Sequence, residues 1–240
     1  MKELLEQTKV LLCDADGTLF PSEEPAFDAS TVVTNRFMAE HGSDVRFEAE
    51  QLRLATTGKN FRTTVVDLAA QHGIRFDPAE LEDWVAEEKR VVSAHLGLVL
   101  APDPQVQDTL AALAERYRLV IVSSSALTRL EACLTATGLA EMFPPELRFS
   151  AEDSLPVPAS KPDPAVYRHA GEYLGVSPEQ AIAIEDAVPG VQSAQAAGFV
   201  TVGNLRFVPE PERAERERQL TEAGARTVLA TWPEIGALLL

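Results

Sequence analysis

Cysteine is scarce in this chain: its 240 residues hold two, Cys13 and Cys133. They form no short-spaced pair of the kind that binds zinc, and two thiols suggest no disulfide framework of the secreted type. Cys13 lies in an apolar run and Cys133 in a helical pattern, so both read as buried thiols in a reducing compartment. Basic residues are also in deficit, 21 against 37 acidic ones, for a net charge of −16. A nucleic-acid-binding surface needs basic patches, and this balance argues against one. Long apolar runs are missing as well. Nothing approaches the roughly 18 residues of a membrane span, and the opening MKELLEQTKV has no apolar stretch of signal-peptide length. The expectation is a cytoplasmic protein that engages neither nucleic acid nor membrane. Four histidines, His41, His72, His95 and His169, neither cluster nor fit a metal spacing, and none is assigned to catalysis. Aromatic residues are only 6% of the chain, and there is no internal repeat.

What is present is alternation. Short apolar runs at Val10–Cys13, Leu119–Val122, Ala181–Ile184, Phe199–Val202 and Thr227–Ala230 are too short for helices and read as buried strands. Helical patterns separate them, over 104–116, 127–137, 164–174 and 188–197, and the last three stop at Gly138, Gly175 and Gly198. Strands alternating with helices predict an α/β fold with a doubly wound parallel sheet. Residues 22–97 break the rhythm and read as helices only. They predict a helical cap domain inserted after the first strand into a core made of 1–21 and 98–240. Hinges are expected near Phe20-Pro21-Ser22 and at Leu100-Ala101-Pro102-Asp103-Pro104, so the cap reads as a lid. Pro209–Glu222 reads as a solvated helix and Pro233–Leu240 as a terminal one. The proline-rich segment 143–160 is left without a role.

In open parallel sheets, sites form beyond the carboxyl ends of the strands. The first run is followed by Asp14-Ala15-Asp16-Gly17-Thr18, the second by Ser123-Ser124-Ser125, and the third ends at Glu185-Asp186. Lys161 stands between the last two, in Ser160-Lys161-Pro162-Asp163-Pro164. Taken singly these are a turn, a helix cap and a surface lysine; their order at successive strand ends is what points to chemistry. Four carboxylates at one sheet edge repel unless a divalent cation holds them, and carboxylate and backbone oxygens suit Mg²⁺. A calcium loop fails on spacing, because the glycine comes fourth and the twelfth residue is Pro25.

The stretches LLCDADGTLFPSE, LVIVSSS, SKPDPAVYRHAGEYLGVSP and AIAIEDAVPGVQSAQAAGFVTVG, in this order, resemble the haloacid dehalogenase superfamily. The likeness is to the subgroup with a helical cap after the first motif, and it spans nearly the whole chain. It implies a phosphohydrolase in which Asp14 attacks phosphorus and forms an aspartyl-phosphate. Asp16 would protonate the leaving oxygen and then deprotonate the hydrolytic water, beginning as the protonated acid. Mg²⁺ would bind the Asp14 carboxylate, the Asp16 carbonyl and Asp186, with Glu185 direct or through water. Lys161 would supply a second cation, while Ser123, with Ser124 beside it, would bind phosphoryl oxygens. An acid at position 16 resembles phosphatases and phosphomutases rather than the dehalogenating or phosphonate-cleaving branches. Ala126 and Leu127 are apolar where sugar phosphomutases carry polar residues, which favours a phosphatase. SSSALTRLE is similar to small sugar-phosphate phosphatases. Substrate contacts are expected from Ser22 and Glu23 at the hinge and from Lys59, Asn60 and Arg62 in the cap, suited to a sugar or polyol phosphate bound by a monomer. A phosphomutase of the β-phosphoglucomutase type is the alternative, and a non-catalytic phospholigand-binding protein is the second.

Overall fold

The computed structural model describes residues 2–56 and 60–240. A short helix, α1 (Lys2–Gln7), leads into strand β1 (Val10–Cys13). Four helices follow: α2 (Glu23–Glu40), α3 (Ala49–Thr56), α4 (Phe61–Gln71) and α5 (Glu80–Val99). The alternation then runs α6 (Pro104–Ala114), β2 (Arg118–Ser123), α7 (Leu127–Thr137), β3 (Arg148–Ser150), α8 (Ala165–Leu174), β4 (Ala181–Glu185), α9 (Val188–Ala196), β5 (Val200–Asn204), α10 (Arg213–Glu222), β6 (Thr227–Leu229) and α11 (Trp232–Leu239). The chain divides into two compact units, one of Met1–Pro21 with Leu100–Leu240 and one of Ser22–Val99. Among the described residues no helix is long and apolar enough to cross a membrane.

The first unit is built on six strands in the order β3-β2-β1-β4-β5-β6, every pair parallel. The doubly wound parallel sheet expected from the sequence is present. Its winding follows from the strand order. From β1 the chain steps outward through β2 to β3, then returns across the sheet to β4 and steps outward the other way. Because crossovers are right-handed, reversing direction sends the connecting helices to the opposite face. Burial on both faces explains why the strands read as continuous apolar runs rather than alternating ones. Val10, Leu12, Val120, Val122 and Ala183 pack with Val166, Tyr167 and Ala170 of α8 on one face. Leu11, Cys13, Ile121 and Ile184, offset by one residue, are buried on the other.

Helix ends are set by local chemistry. Asp103 caps α6 by accepting from the Gln105 N–H at 2.9 Å, with Pro104 in the first turn. Gly138 ends α7 in the left-handed conformation at φ 69°, which costs a residue without Cβ nothing. Thr231 and Glu234 form a capping box at the start of α11.

One strand escaped the sequence reading. β3 lies inside the proline-rich segment, is three residues long, and begins with an arginine. Arg148 is nevertheless buried, because its guanidinium is satisfied: Nε donates to the Phe143 carbonyl at 2.6 Å, Nη2 donates to the Ala140 carbonyl at 3.2 Å, and Nη1 pairs with Glu131. The segment therefore supplies the edge strand of the sheet.

The second unit has its own core of Phe37, Met38, Leu52, Val65, Leu68, Ala69 and Leu81. Trp84 meets Phe37 edge-on, with ring centroids 5.5 Å apart. Asn35 pins the connection to α3 by exchanging two hydrogen bonds with the backbone of Phe47, at 2.8 and 2.9 Å.

In the first unit, α11 is tied to the turn after β1. Trp232 is fully buried and its Nε1–H donates to the Thr18 carbonyl at 3.0 Å, which also accepts from Asn204 Nδ2 at 3.2 Å. Trp232→Phe keeps an aromatic ring but loses that donor and part of the packing. It is expected to lower unfolding free energy by about 1–3 kcal/mol in urea melts, and an unchanged midpoint would show that the indole contributes nothing there.

Candidate active site

Because β1 lies between β2 and β4, the three strand ends singled out from the sequence are side by side. Cys13 is in register with Ile121 on one side and Ile184 on the other. Asp14 therefore emerges between Val122 and Glu185, at the point where the strand order reverses and crevices form in such sheets. Its N–H donates to the Ile184 carbonyl at 2.9 Å, which fixes the backbone as it leaves the sheet.

Lys161 enters this edge from the loop before α8. Its ammonium donates to Asp14 Oδ1 at 2.5 Å, to Glu185 Oε1 at 2.7 Å and to the Val122 carbonyl at 2.8 Å. All three donors of the ammonium are thus used. Its side chain is 6% exposed, against 10% for Asp14 and 1% for Glu185. Tyr167 of α8 donates its hydroxyl to the same Glu185 oxygen, and the Lys161 nitrogen sits 5.3 Å from the Tyr167 ring centroid. Ser124 Oγ accepts from the Lys161 N–H at 3.3 Å, holding the loop against the end of β2.

Burial dominates the proton affinities here. It pushes the Glu185 carboxyl up to about 7; Lys161 pulls it back and the charge of Asp14 raises it further. Asp14 is raised by the same loss of water, again opposed by Lys161, with Asp16 adding to the rise. For Lys161 burial acts downward, but the two carboxylates outweigh it and the ammonium is held charged.

Carboxylate oxygens of Asp14, Glu185 and Asp186 all lie within 4.8 Å of one another, and all three residues are buried. Hard anionic oxygens converging in this way are a donor set suited to Mg²⁺. The backbone leaves room for them. Gly17 has φ +80°, and a Cβ there would stand 2.3 Å from Asp186 Oδ2. Glycine is required on both counts. Gly190, in the first turn of α9, performs the same service for Glu185, since a Cβ there would lie 1.8 Å from Oε2. Thr18 Oγ1 donates to Asp186 Oδ1 at 2.8 Å, and Arg216 of α10 donates to the Asp186 carbonyl at 3.0 Å.

A family model described as haloacid dehalogenase-like hydrolase matches residues 8–198, which takes in Asp14, Asp16, the serine run, Lys161 and Glu185-Asp186. The chain belongs to this family. Among its relatives is validoxylamine A 7'-phosphate phosphatase of Streptomyces hygroscopicus subsp. limoneus, 30% identical over 236 residues, covering 95% of this chain and 98% of the relative. Hexitol phosphatase B of Escherichia coli (strain K12) is 31% identical over 236 residues, covering 93% and 97%. A crystal structure of a CbbY variant from Rhodobacter sphaeroides in complex with xylulose-(1,5)bisphosphate superimposes with a TM-score of 0.71 at 26% identity, covering 95% of this chain and 96% of that one.

The structure of this family member brings Asp14, Lys161, Glu185 and Asp186 into direct or near contact. Ser123 is buried beside them, its Oγ accepting from the Ser125 N–H at 3.0 Å. Asp16 is part-buried and engaged by groups the sequence reading passed over: Ser125 Oγ donates to its Oδ2 at 2.6 Å and Arg129 Nη2 to its Oδ1 at 2.9 Å. Asp16 and Arg129 thus form a part-buried ion pair. In the helical unit, Ser22 is buried and Glu23 exposed at the start of α2. Asn60 caps α4, accepting from the Thr63 N–H at 2.9 Å, and Arg62 forms a two-pronged ion pair with Glu82, its Nη2–Oε2 arm at 2.7 Å. Lys59 lies outside the described residues. Arg129, Ser125, Thr18 and Tyr167 were missed. The one available signal was position, since Arg129 falls in the first turn of the helix that follows the serine run.

The raised carboxyls give the metal-free protein a definite pH dependence. Glu185 titrates near 7 when folded but near its ordinary 4.5 when unfolded. Between those values the native state binds the extra proton, so stability should fall as pH rises from 4.5 toward about 7. In chelator, urea midpoints should drop across that window by on the order of 1–3 kcal/mol, and Glu185→Gln should flatten the slope. A wild-type stability that climbs through the window would contradict the burial argument.

Proposed function

We propose that this chain hydrolyses small sugar or polyol phosphate monoesters in a Mg²⁺-dependent reaction, with Asp14 carrying the phosphoryl group. The observation that supports this most is the buried carboxylate Asp14 held by Lys161 at the mouth of an acidic cluster. Asp14, Glu185, Asp186 and the Asp16 carbonyl would hold Mg²⁺, which when bound screens the charge between a carboxylate nucleophile and a phosphate dianion.

In the first half-reaction an Asp14 oxygen bonds to phosphorus as the bond from phosphorus to the ester oxygen breaks, and Asp16 gives that oxygen its proton. In the second, Asp16 takes a proton from water, whose oxygen attacks phosphorus and frees Asp14. Lys161 keeps Asp14 ionised and oriented, despite the cost of burial, and offers positive charge where phosphoryl oxygens gain negative charge. Ser123 and the neighbouring backbone N–H groups would take those oxygens.

The substrate class rests on the relatives, named for phosphates of validoxylamine A and of hexitols, and on the CbbY neighbour that holds a xylulose bisphosphate. Hydroxyl-rich substrates suit the polar set Ser22, Glu23, Lys59, Asn60, Arg62 and Ser124, with the helical unit acting as the lid. Ala126 and Leu127 offer no partner to a second phosphate, which favours hydrolysis over mutase chemistry. With both thiols buried and free, a reducing cytoplasm is the proposed setting, and a monomer the proposed state.

The deciding assay is phosphate release from a generic aryl phosphate with and without Mg²⁺. Turnover should require the metal, and Asp14→Asn should lower it at least ~1,000-fold while remaining folded by circular dichroism. Sugar and polyol phosphates should then be the preferred esters in a panel. Silence of folded, metal-loaded protein on every ester, with bisphosphate added as well, would leave a phospholigand-binding protein as the better reading.

A further inference from the structure

Asp16 stands in the turn after β1 with its side chain 19% exposed. A carboxylate that must meet a leaving oxygen and later a water needs its rotamer defined, because an error of about 1 Å in such a group costs on the order of 100-fold in rate. The structure holds it from two directions. Ser125 Oγ donates to Oδ2 at 2.6 Å, and Arg129 Nη2 donates to Oδ1 at 2.9 Å.

Both donors are themselves anchored. The Ser125 N–H is bonded to Ser123 Oγ at 3.0 Å, which ties it to the end of β2. Arg129 rises from the first turn of α7, and that turn is fixed by the Leu127 N–H donating to Asp153 Oδ2 at 2.6 Å. One turn further on, Cys133 is buried beneath the pair. Burial pushes its thiol up to about 12, with the charge of Asp16 adding to the rise and Arg129 opposing it.

We propose that Arg129, with Ser125, is the positioning device for Asp16: the two donors set the carboxylate's orientation, and Arg129 acts on the reaction only through Asp16. The inference rests on the acid–base role proposed for Asp16. Arg129 is a positioning residue, distinct from Lys161, which addresses Asp14.

The test separates the two half-reactions with 4-nitrophenyl phosphate and saturating Mg²⁺. Nitrophenolate leaves with little help from an acid, so phosphorylation of Asp14 should be spared, whereas hydrolysis of the phosphoenzyme still needs Asp16 as base. Arg129→Met should give a stoichiometric burst of nitrophenol at a rate within about threefold of the wild-type first turnover, followed by turnover slowed by about 10- to 100-fold. On an alkyl phosphate, where the acid is needed, its first turnover should slow by a similar factor. In the Asp16→Asn background the same substitution should add less than about twofold, since its effect passes through the missing carboxylate. Arg129→Lys should recover part of the loss. Burst and turnover falling together would overturn the proposal, as would no change in either, or a full additive effect on top of Asp16→Asn. Should Arg129→Met not fold, Ser125→Ala carries the same split between burst and turnover. Wild-type protein without Mg²⁺-dependent release, or Asp14→Asn with full turnover, would instead strike the phosphatase reading itself.

Discussion

Lys161 places an ammonium inside a cluster of buried carboxylates, and the rest of the site is arranged around keeping that charge matched. Taking a lysine and two carboxylates out of water is costly unless every donor and acceptor finds a partner. Here the three ammonium donors meet Asp14, Glu185 and the Val122 carbonyl, and Tyr167 gives Glu185 a further hydrogen bond. The pairing is only partly neutralising. Asp186 brings a third carboxylate into the same space, so a surplus of negative charge remains for a divalent cation to balance. Lys161 and the candidate metal site are thus two halves of one electrostatic arrangement. The first holds Asp14 ionised, and the second is made attractive to a cation by what the first leaves unbalanced.

That arrangement depends on backbone space as much as on charge. Gly17 and Gly190 stand where any Cβ would collide with Asp186 and Glu185. The turn after β1 is further held by Thr18, whose hydroxyl bonds to Asp186 while its carbonyl accepts from Asn204 and Trp232. Packing of the distant helix α11 is in this way connected to the placement of a candidate metal ligand. Close-packed interiors transmit such displacements, because there is little free volume to absorb them.

The legible part of this fold was the part governed by repetition. Buried parallel strands give unbroken apolar runs, so β1, β2, β4 and β5 could be read from four-residue segments, and the glycine stops of α7 and α8 followed from the left-handed conformation they adopt. β3 could not be read, because a three-residue edge strand opening with arginine carries no pattern; its arginine is buried because it is bonded to the carbonyls of Phe143 and Ala140 and the strand is paired to β2. The site divides in the same way. Asp14, Lys161, Glu185 and Asp186 announced themselves by standing at or beside strand ends. Arg129, Ser125 and Tyr167 did not, since what makes them matter is the atom each touches. Tyr167 in sequence is an aromatic residue on the apolar face of a helix, and only its hydroxyl's approach to Glu185 gives it a polar task.

An acidic protein that handles an anionic substrate looks like a contradiction, and distance resolves it. At physiological ionic strength the Debye length is about 8 Å, so most of the net charge of −16 is screened from a ligand approaching the sheet edge. Within that radius the balance is set by a few groups held away from water, where fields are stronger and screening is weaker. Lys161 and Arg129 are both cations placed at the first two motif acids, one on Asp14 and one on Asp16. A substrate phosphate near these acids meets positive charge already oriented by the fold, with the candidate metal site beside it. The acidic surface then governs solubility and weak encounters, while binding and chemistry answer to charges fixed in the interior. The two can vary independently in sequence.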